Sequence, residues 1–369
     1  MRGAEAVLAC LREQDVDTVF GYPGGMILPL YDAIYGQTAI RQILVTHEQN
    51  AAHAADGYAR ATGRVGVCIA TSGPGATNLV TGIATAYMDS IPMVAITGQV
   101  DLEMLGRDAF QETDILDVTM PVTKHNYKVK NAADLVPTIR EAFALARSGR
   151  PGPVLIDVPR NLFFEEVAYT EQKREEHQPG KPDADFIICA AEAATEIVNA
   201  ERPLVIVGGG VISAGASAET VAFIEKYRLP AVHTLMGMGA VPSTHPQMLG
   251  FAGMHGEKAA NYAIGAADLV IALGSRFADR QTGNLSKYTA NRKFIHIDID
   301  PSSISKIINA HYPIVGDLAN VLSELYEEVK GEPKNYVPWR EILDRYSKLN
   351  PLGYTDSDKV LKPQWVIEE

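Results

Sequence analysis

Apolar and polar positions along this chain switch repeatedly between two periods. Short apolar runs at 18–20, 43–45, 65–70, 93–97 and 154–158 have the length and flanks of buried strands. Between them, segments 27–35, 48–62, 75–87 and 132–147 repeat their apolar residues at helical spacing. This alternation predicts a parallel sheet covered on both faces. A charged, proline-containing stretch, EQKREEHQPGKPDAD, then interrupts the pattern and reads as an exposed linker. A second series follows, with strands at 204–207, 231–233, 269–273 and 294–297 and a closing helix at 318–330. The expected fold is therefore α/β: two doubly wound parallel-sheet domains, 1–168 and 187–332, the second Rossmann-like, joined by a linker at 169–186. The polar, proline-punctuated tail, 333–369, reads as a connector leading elsewhere.

A length of 369 residues suits about two domains. The 33 basic and 45 acidic residues leave a formal net charge of −12, with no basic run of the kind that binds nucleic acid or an anionic membrane. Three cysteines, Cys10, Cys68 and Cys189, are too few and too scattered for a disulfide framework or a zinc cluster, so a reducing, cytoplasmic setting is expected. The opening MRGAEAVLACLREQDVD reads as an amphipathic helix bearing acids rather than a leader, and no apolar run is long enough to span a membrane. A soluble protein is expected.

Candidate chemistry begins at Glu48. Thr46 and Gln49 have capping-box spacing, Ala51, Ala52, Ala55 and Ala59 give the following helix a small-residue face, and Gly63 can end it in the left-handed conformation. An acid in that first turn could simply complement the helix dipole. Three loops, however, leave strand carboxyl ends in this half: FGYPGGMILPLYD, THEQNAAHAADGYARATG and ATSGPGATNLV. Open α/β sheets bind ligands at that edge, and a carboxylate among glycine turns is more than turns require. A zinc reading of His47-Glu48 fails because Ala51 stands where a second histidine is needed and His53 lies on another helix face. No nucleophile elbow or phosphate loop ending in Gly-Lys-Ser/Thr occurs.

In the second half, LVIVGGGVISAG runs a strand into Gly208-Gly209-Gly210, an incomplete dinucleotide fingerprint with Ser213 in place of its third glycine. ALGSRFADRQTG sets Arg276 and Arg280 between Gly274 and Gly283, an arrangement suited to a pyrophosphate, although pairing of an arginine with Asp279 explains it equally well. HIDIDP ends a strand on Asp298, where a carboxylate could accept from ribose hydroxyls. Together these suggest a nucleotide-containing cofactor.

The motifs GYPGGMILPLYD, THEQNAAHAADGYARATG, TSGPGATNL, IPMVAITGQV, DAFQETD, TKHNY and SGRPGPVLIDVP, followed by GGGVISAG, GMHG, GSRFADRQTG, HIDIDP and KPQWVIEE, together resemble the catalytic large subunit of acetolactate synthase. The resemblance implies a thiamine diphosphate- and Mg²⁺-dependent enzyme that decarboxylates pyruvate and joins the two-carbon unit to a second 2-oxoacid in branched-chain amino-acid biosynthesis. It makes the first domain the pyrimidine-binding one and Glu48 the acid that hydrogen-bonds the aminopyrimidine, so that the ring's own nitrogen can remove the thiazolium C2 proton. It places Tyr22, Pro23, Gly24 and Gly25 over the cofactor, with Gly25 near the reacting carbon, and gives Phe110 and Gln111 to the acceptor pocket. Arg150 with Gly208, Gly209, Thr234, Leu235, Met254, His255, Gly274, Arg276, Arg280, Asp298 and Asp317 fall where the family holds a structural FAD. It further implies a homodimer and a regulatory small subunit.

Two departures accompany the match. Arg160, in the substrate region, stands where a lysine is usual, keeping the charge but altering the donor geometry. The Gly-Asp-Gly…Asn-Asn motif that binds Mg²⁺ and diphosphate is absent, so no metal ligand is assigned and the chain alone is expected to be inactive. Alternatives are a non-catalytic FAD-binding or dimerising scaffold, or a related carboligase such as sulfoacetaldehyde acetyltransferase; glyoxylate carboligase, which lacks the acid, is disfavoured by Glu48.

Overall fold

The structure, a computed structural model, describes residues 1–173, 184–328, 334–349 and 353–369, with the backbone alone for 184–188 and 349. The chain divides into two compact units, Met1–Gln178 and Pro179–Glu369. Each is built on a six-stranded sheet whose strand pairs all run parallel.

In the first unit the strands are β1 (Thr18–Gly21), β2 (Arg41–Leu44), β3 (Gly66–Ala70), β4 (Met93–Gln99), β5 (His125–Lys128) and β6 (Pro153–Pro159). Their order is β2-β1-β3-β4-β6-β5. Every residue of β3, β4 and β6 is buried, as continuous strands must be when helices cover both faces. Val67, Ile69, Val94, Ile96 and Ile156 pack with helices Gly3–Glu13 and Leu135–Arg147 on one face. On the other, Cys68, Ala95 and Leu155 meet helices Glu48–Thr62 and Val80–Asp89. The alanine face of Glu48–Thr62 lets those two helices approach closely: a Cβ on Gly82 would stand 2.4 Å from that of Ala52. Burial pushes the Cys10 and Cys68 thiols up to about 12, so both behave as small apolar residues.

The second unit holds β7 (Pro203–Val207), β8 (Ala231–His233), β9 (Met248–Phe251), β10 (Leu269–Leu273), β11 (Lys293–Asp298) and β12 (Tyr312–Val315), ordered β12-β11-β10-β7-β8-β9. Read from the β9 edge this is the 3-2-1-4-5-6 arrangement of dinucleotide-binding sheets. The strand order reverses between β7 and β10 here, and between β1 and β3 in the first unit. Those two switch points are where ligand crevices form, outside the strand carboxyl ends.

Several local expectations need correction. Strands β5, β9 and β12 are absent from the predicted series; β5 is a polar edge strand, β9 bends at Gly250 (φ 98°) and β12 carries Pro313, a residue tolerated at an edge. The single helix predicted over 75–87 is two, Pro74–Asn78 and Val80–Asp89, broken at the fully buried Leu79. Thr46 does not cap the Glu48 helix: His47 is the N-cap, its Nδ1 accepting from the Gln49 amide at 3.2 Å. Gly63 does end that helix with φ 70°. The tail is not merely a connector, since helix Val337–Leu349 buries Trp339 and Leu343 in the second unit's core, and Tyr336 donates to the Ile197 carbonyl at 2.9 Å. Most of the predicted linker, 174–183, and the end of the 318–330 helix lie outside the described residues. Among the described residues, no helix is long and apolar enough to cross a membrane.

Candidate functional site

At the first switch point β1 ends on Gly21 and β3 on Ala70, and the loops that follow are drawn together by Thr71. Its hydroxyl accepts from the Met26 amide at 3.2 Å. Its methyl fills the spaces where Gly24 and Gly75 would carry a Cβ, at 2.5 and 2.8 Å. Both glycines are therefore demanded by packing. Gly25 is not: nothing lies within 4 Å of where its Cβ would be, and its backbone is outside the left-handed region.

Glu48 enters this cluster from the helix that follows β2. Its side chain is buried, at 9% exposure, and Oε2 accepts a hydrogen bond from Asn78 Nδ2 at 2.9 Å. Oε1 lies 3.2 Å from the Cβ position of Gly75 and accepts no hydrogen bond within the described residues. Sequence reasoning missed Asn78, although it lies within the TSGPGATNL motif, because its partner is 30 residues away. Two buried polar atoms near this edge, Tyr31 OH and Ser72 Oγ, have no hydrogen-bond partner among the described residues. The Tyr31 hydroxyl sits 2.3 Å from the Cβ position of Gly21, which accounts for glycine there. Burial, with smaller contributions from Cys68 and then Glu48, pushes the Tyr31 phenol up.

Gln111 joins the group through its backbone, its carbonyl oxygen 2.6 Å from the Cβ position of Gly73; Gly73 and Gln111 have φ of 60° and 59°. Tyr22–Gly25, Glu48 and Gln111 thus share one sheet edge. Phe110 is 80% exposed. Arg160 follows β6 and rests its guanidinium over the Phe164 ring at 5.3 Å. Arg150 precedes β6, at the opposite edge of the sheet, where Nε donates to Ser90 Oγ at 2.8 Å.

In the second unit every candidate lies at or beyond the carboxyl end of a strand. Gly208 and Gly209 leave β7, Thr234 and Leu235 leave β8, Met254 and His255 follow β9, Gly274, Arg276 and Arg280 follow β10, Asp298 ends β11, and Asp317 follows β12. The switch point is closed by glycine against glycine: a Cβ on Gly208 would lie 2.2 Å from the Gly274 carbonyl oxygen, and one on Gly210 2.7 Å from the Gly274 Cα. The Gly210 amide donates to that carbonyl at 3.1 Å. Asp298 is buried, one oxygen accepting from the Asp300 amide at 2.9 Å. Asp317 caps helix Leu318–Glu328 through the Ala319 and Asn320 amides. Leu235, Met254, His255 and Arg280 face solvent. Arg280 stands 3.7 Å from Asp279 with both side chains exposed, a pairing worth little in water.

Residues 1–118 match the description "Thiamine pyrophosphate enzyme, N-terminal TPP binding domain", and residues 190–325 match "Thiamine pyrophosphate enzyme, central domain". The chain belongs to the thiamine pyrophosphate enzyme family. Among relatives of this thiamine pyrophosphate enzyme chain, it is 48% identical over 373 residues to the acetolactate synthase large subunit of Corynebacterium glutamicum, covering 100% of this chain and 60% of that one. It is 46% identical over 374 residues to a probable acetolactate synthase large subunit of Methanocaldococcus jannaschii, and 45% identical over 375 to that of Haemophilus influenzae, covering 100% of this chain and 63% and 65% of theirs. The chain thus spans about three-fifths of the length of the relatives it matches.

Proposed function

We propose that this chain supplies the pyrimidine-binding and FAD-binding parts of an acetolactate synthase large subunit, which decarboxylates pyruvate and joins the two-carbon unit to pyruvate or 2-oxobutanoate in branched-chain amino-acid biosynthesis. The observation that carries this reading is Glu48, a buried carboxylate at a switch-point edge, fixed by Asn78 on one oxygen and turned toward the glycine loops with the other.

The donor set suits the pyrimidine half of thiamine diphosphate, and the open space beside Gly25 suits a ligand approaching the backbone closely. When bound, thiamine diphosphate supplies the carbon nucleophile that attacks pyruvate and accepts the electron pair released as CO₂ departs. Because Asn78 donates to Oε2, a proton on Glu48 resides at Oε1, where it can be shared with a ring nitrogen. Burial keeps water from competing for that proton. Phe110, Gln111 and Arg160 belong to the acceptor pocket, and the exposure of Phe110 fits walls completed by a second copy of the chain.

In the second unit the 3-2-1-4-5-6 order and the glycine contact at its switch point suit a dinucleotide, here a structural FAD, with Asp298 toward a ribose and Arg276 and Arg280 toward the pyrophosphate. Mg²⁺ and the diphosphate belong to the part of the relatives that this chain does not span. Assembly with a regulatory small subunit accords with the relatives' designation as large subunits, and the setting is cytoplasmic.

The test joins residues 1–369 to the remaining C-terminal part of the Corynebacterium glutamicum relative and measures acetolactate formed from pyruvate with thiamine diphosphate and Mg²⁺. The fusion should turn over and the chain alone should not. Glu48→Gln, which keeps shape but loses the exchangeable acid, should lower kcat by about 100-fold or more and slow cofactor C2–H exchange in parallel. Unchanged turnover would refute the reading. Flavin absorbance of the purified chain tests the second site separately.

A further inference from the structure

Asp157 lies in β6 near the carboxyl edge of the first sheet, with no solvent exposure, and none of the roles above uses it. A carboxylate so placed is costly unless donors surround it. Thr97 sits directly across on β4, with Gln99 two residues further along the same face. The Thr97 hydroxyl donates to Oδ1 at 2.6 Å and Gln99 Nε2 donates to Oδ2 at 3.0 Å.

A carboxylate can only accept, so it decides which end of the Gln99 carboxamide faces it. In that orientation Nε2 also donates to the Thr113 carbonyl at 2.9 Å, while Oε1 accepts from the Val100 amide at 2.9 Å. From the neighbouring β5, Lys128 reaches Asp114 at 3.0 Å and Asn126 donates to the Leu116 carbonyl at 3.0 Å. Side chains from β4 and β5, with Asp157 of β6 behind them, therefore clamp 113–116, where helix Ile115–Thr119 begins. Immediately upstream lies the loop carrying Phe110 and Gln111. Within that loop Glu112 accepts from the Gly106 and Ala109 amides at 2.5 and 3.0 Å, and beyond it the loop has the packing of the Gln111 backbone against Gly73.

We propose that Asp157 is a positioning residue: by orienting Gln99 it anchors the downstream end of the loop that presents Phe110 and Gln111 at the cofactor edge. The functional value of this anchor rests on the reading of Gln111 given above. The anchoring itself does not, and it is tested without cofactor or turnover.

Chymotrypsin cleavage after the exposed Phe110, in the full 369-residue chain, reports whether the loop is held. Gln99→Met keeps volume but removes the bridge and should speed that cut at least tenfold while other cleavage sites stay near their starting rates, with the first unit's melting temperature lowered by the few degrees that losing these buried hydrogen bonds brings. Asp157→Asn still offers Gln99 an acceptor and should stay within about threefold of the unmodified chain, whereas Asp157→Leu should cut as fast as Gln99→Met. Should Asp157→Leu fail to fold, Asp157→Val, smaller and at home in a strand, takes its place with the same expected rate. Equal rates in all variants, or acceleration spread over every site, would overturn the proposal. If the fusion proves inactive while Gln99→Met still releases the loop, the functional reading fails and the anchor stands.

Discussion

The two sheets share a parallel architecture, yet their loops are held at the carboxyl edges by different means. In the first unit the fastenings are largely buried side chains: Asn78 on Glu48, Thr71 on Met26, and Asp157 and Gln99 on Thr113. In the second, the switch point closes by backbone contact among Gly208, Gly210 and Gly274. Side-chain fastening leaves polar groups that can act on a bound molecule. Glycine closure leaves bare backbone at the switch point, where a bound group could come close, and Arg280 beyond it is exposed. The first arrangement suits chemistry and the second suits holding.

The harshest way to break this contrast is Gly208→Ala. Its methyl would stand 2.2 Å from a carbonyl oxygen and 2.6 Å from that carbonyl's carbon, both backbone atoms that cannot swing away. Loss of at least about 3 kcal/mol is expected, confined to the second unit. Calorimetry should show one of two transitions lowered or missing. Lowering of both would mean that the units do not melt independently.

The contrast extends to pH. Burial pushes the Asp157 carboxyl up from 3.8 to about 6, only partly opposed by hydrogen bonds from Thr97 and Gln99. Its native pKa exceeds the unfolded one, so its stabilising effect is complete below about 4 and is lost as pH rises through 6. His296 in β11 behaves oppositely. Burial lowers it from 6.5 to about 4, partly opposed by its contact with the Ser275 carbonyl at 3.0 Å. Its contribution is complete above 6.5 and is lost as pH falls through 4. Each shift corresponds to about 3 kcal/mol as an upper bound. Between pH 4 and 6.5 these groups should drive the two transitions in opposite directions. Because other carboxylates titrate too, the measure is the difference from variants: Asp157→Asn should remove a falling component from the first unit and His296→Gln a rising one from the second. An unchanged slope in either variant would show that the buried group does not titrate there.

What could be read from residue order follows the same divide. Glycine turns, the alanine face of the Glu48 helix and the buried strands announce themselves locally, so the fold class and the edge where candidates gather were legible. Asp157 was not, because within LIDVP it looks like an interruption of an apolar strand and its Thr97 and Gln99 partners lie 60 and 58 residues away. Asn78 was hidden for the same reason. The edge strand HNYK carries too little apolar signal, and prolines around VPWREILDRYSKL disguised a helix whose Trp339 and Leu343 are core residues. His47 replaced Thr46 as cap because the helix starts one residue later than the capping-box reading required.

A smaller effect is expected at Asn78. Replacing it by Ala removes the hydrogen bond to Glu48 Oε2, a buried charge-capable acceptor, and should cost about 1–3 kcal/mol in the first unit. In the active fusion the same change should reduce kcat more than it raises KM for pyruvate, since the acid remains but its orientation does not. An equal or larger effect on KM would assign Asn78 to substrate binding instead.

The smallest effect on stability is the most discriminating. Gly24 and Gly25 are neighbours in YPGG, and residue order alone cannot tell which glycine the fold needs. The structure separates them: Gly24→Ala would force its methyl to 2.5 Å from Thr71 Cγ2, whereas Gly25→Ala meets nothing within 4 Å and no left-handed backbone. Gly24→Ala should lower the first unit's melting temperature, by the few degrees that about 1–3 kcal/mol produces. Gly25→Ala should leave it within the change expected of about 0.5 kcal/mol. If Gly25 is glycine because a cofactor comes close to it, the fusion carrying Gly25→Ala should melt like the parent and yet lose turnover. A fusion that melts normally and works normally would leave that glycine without a ligand to explain it, and would weaken the cofactor reading of the loop while leaving Glu48 untouched.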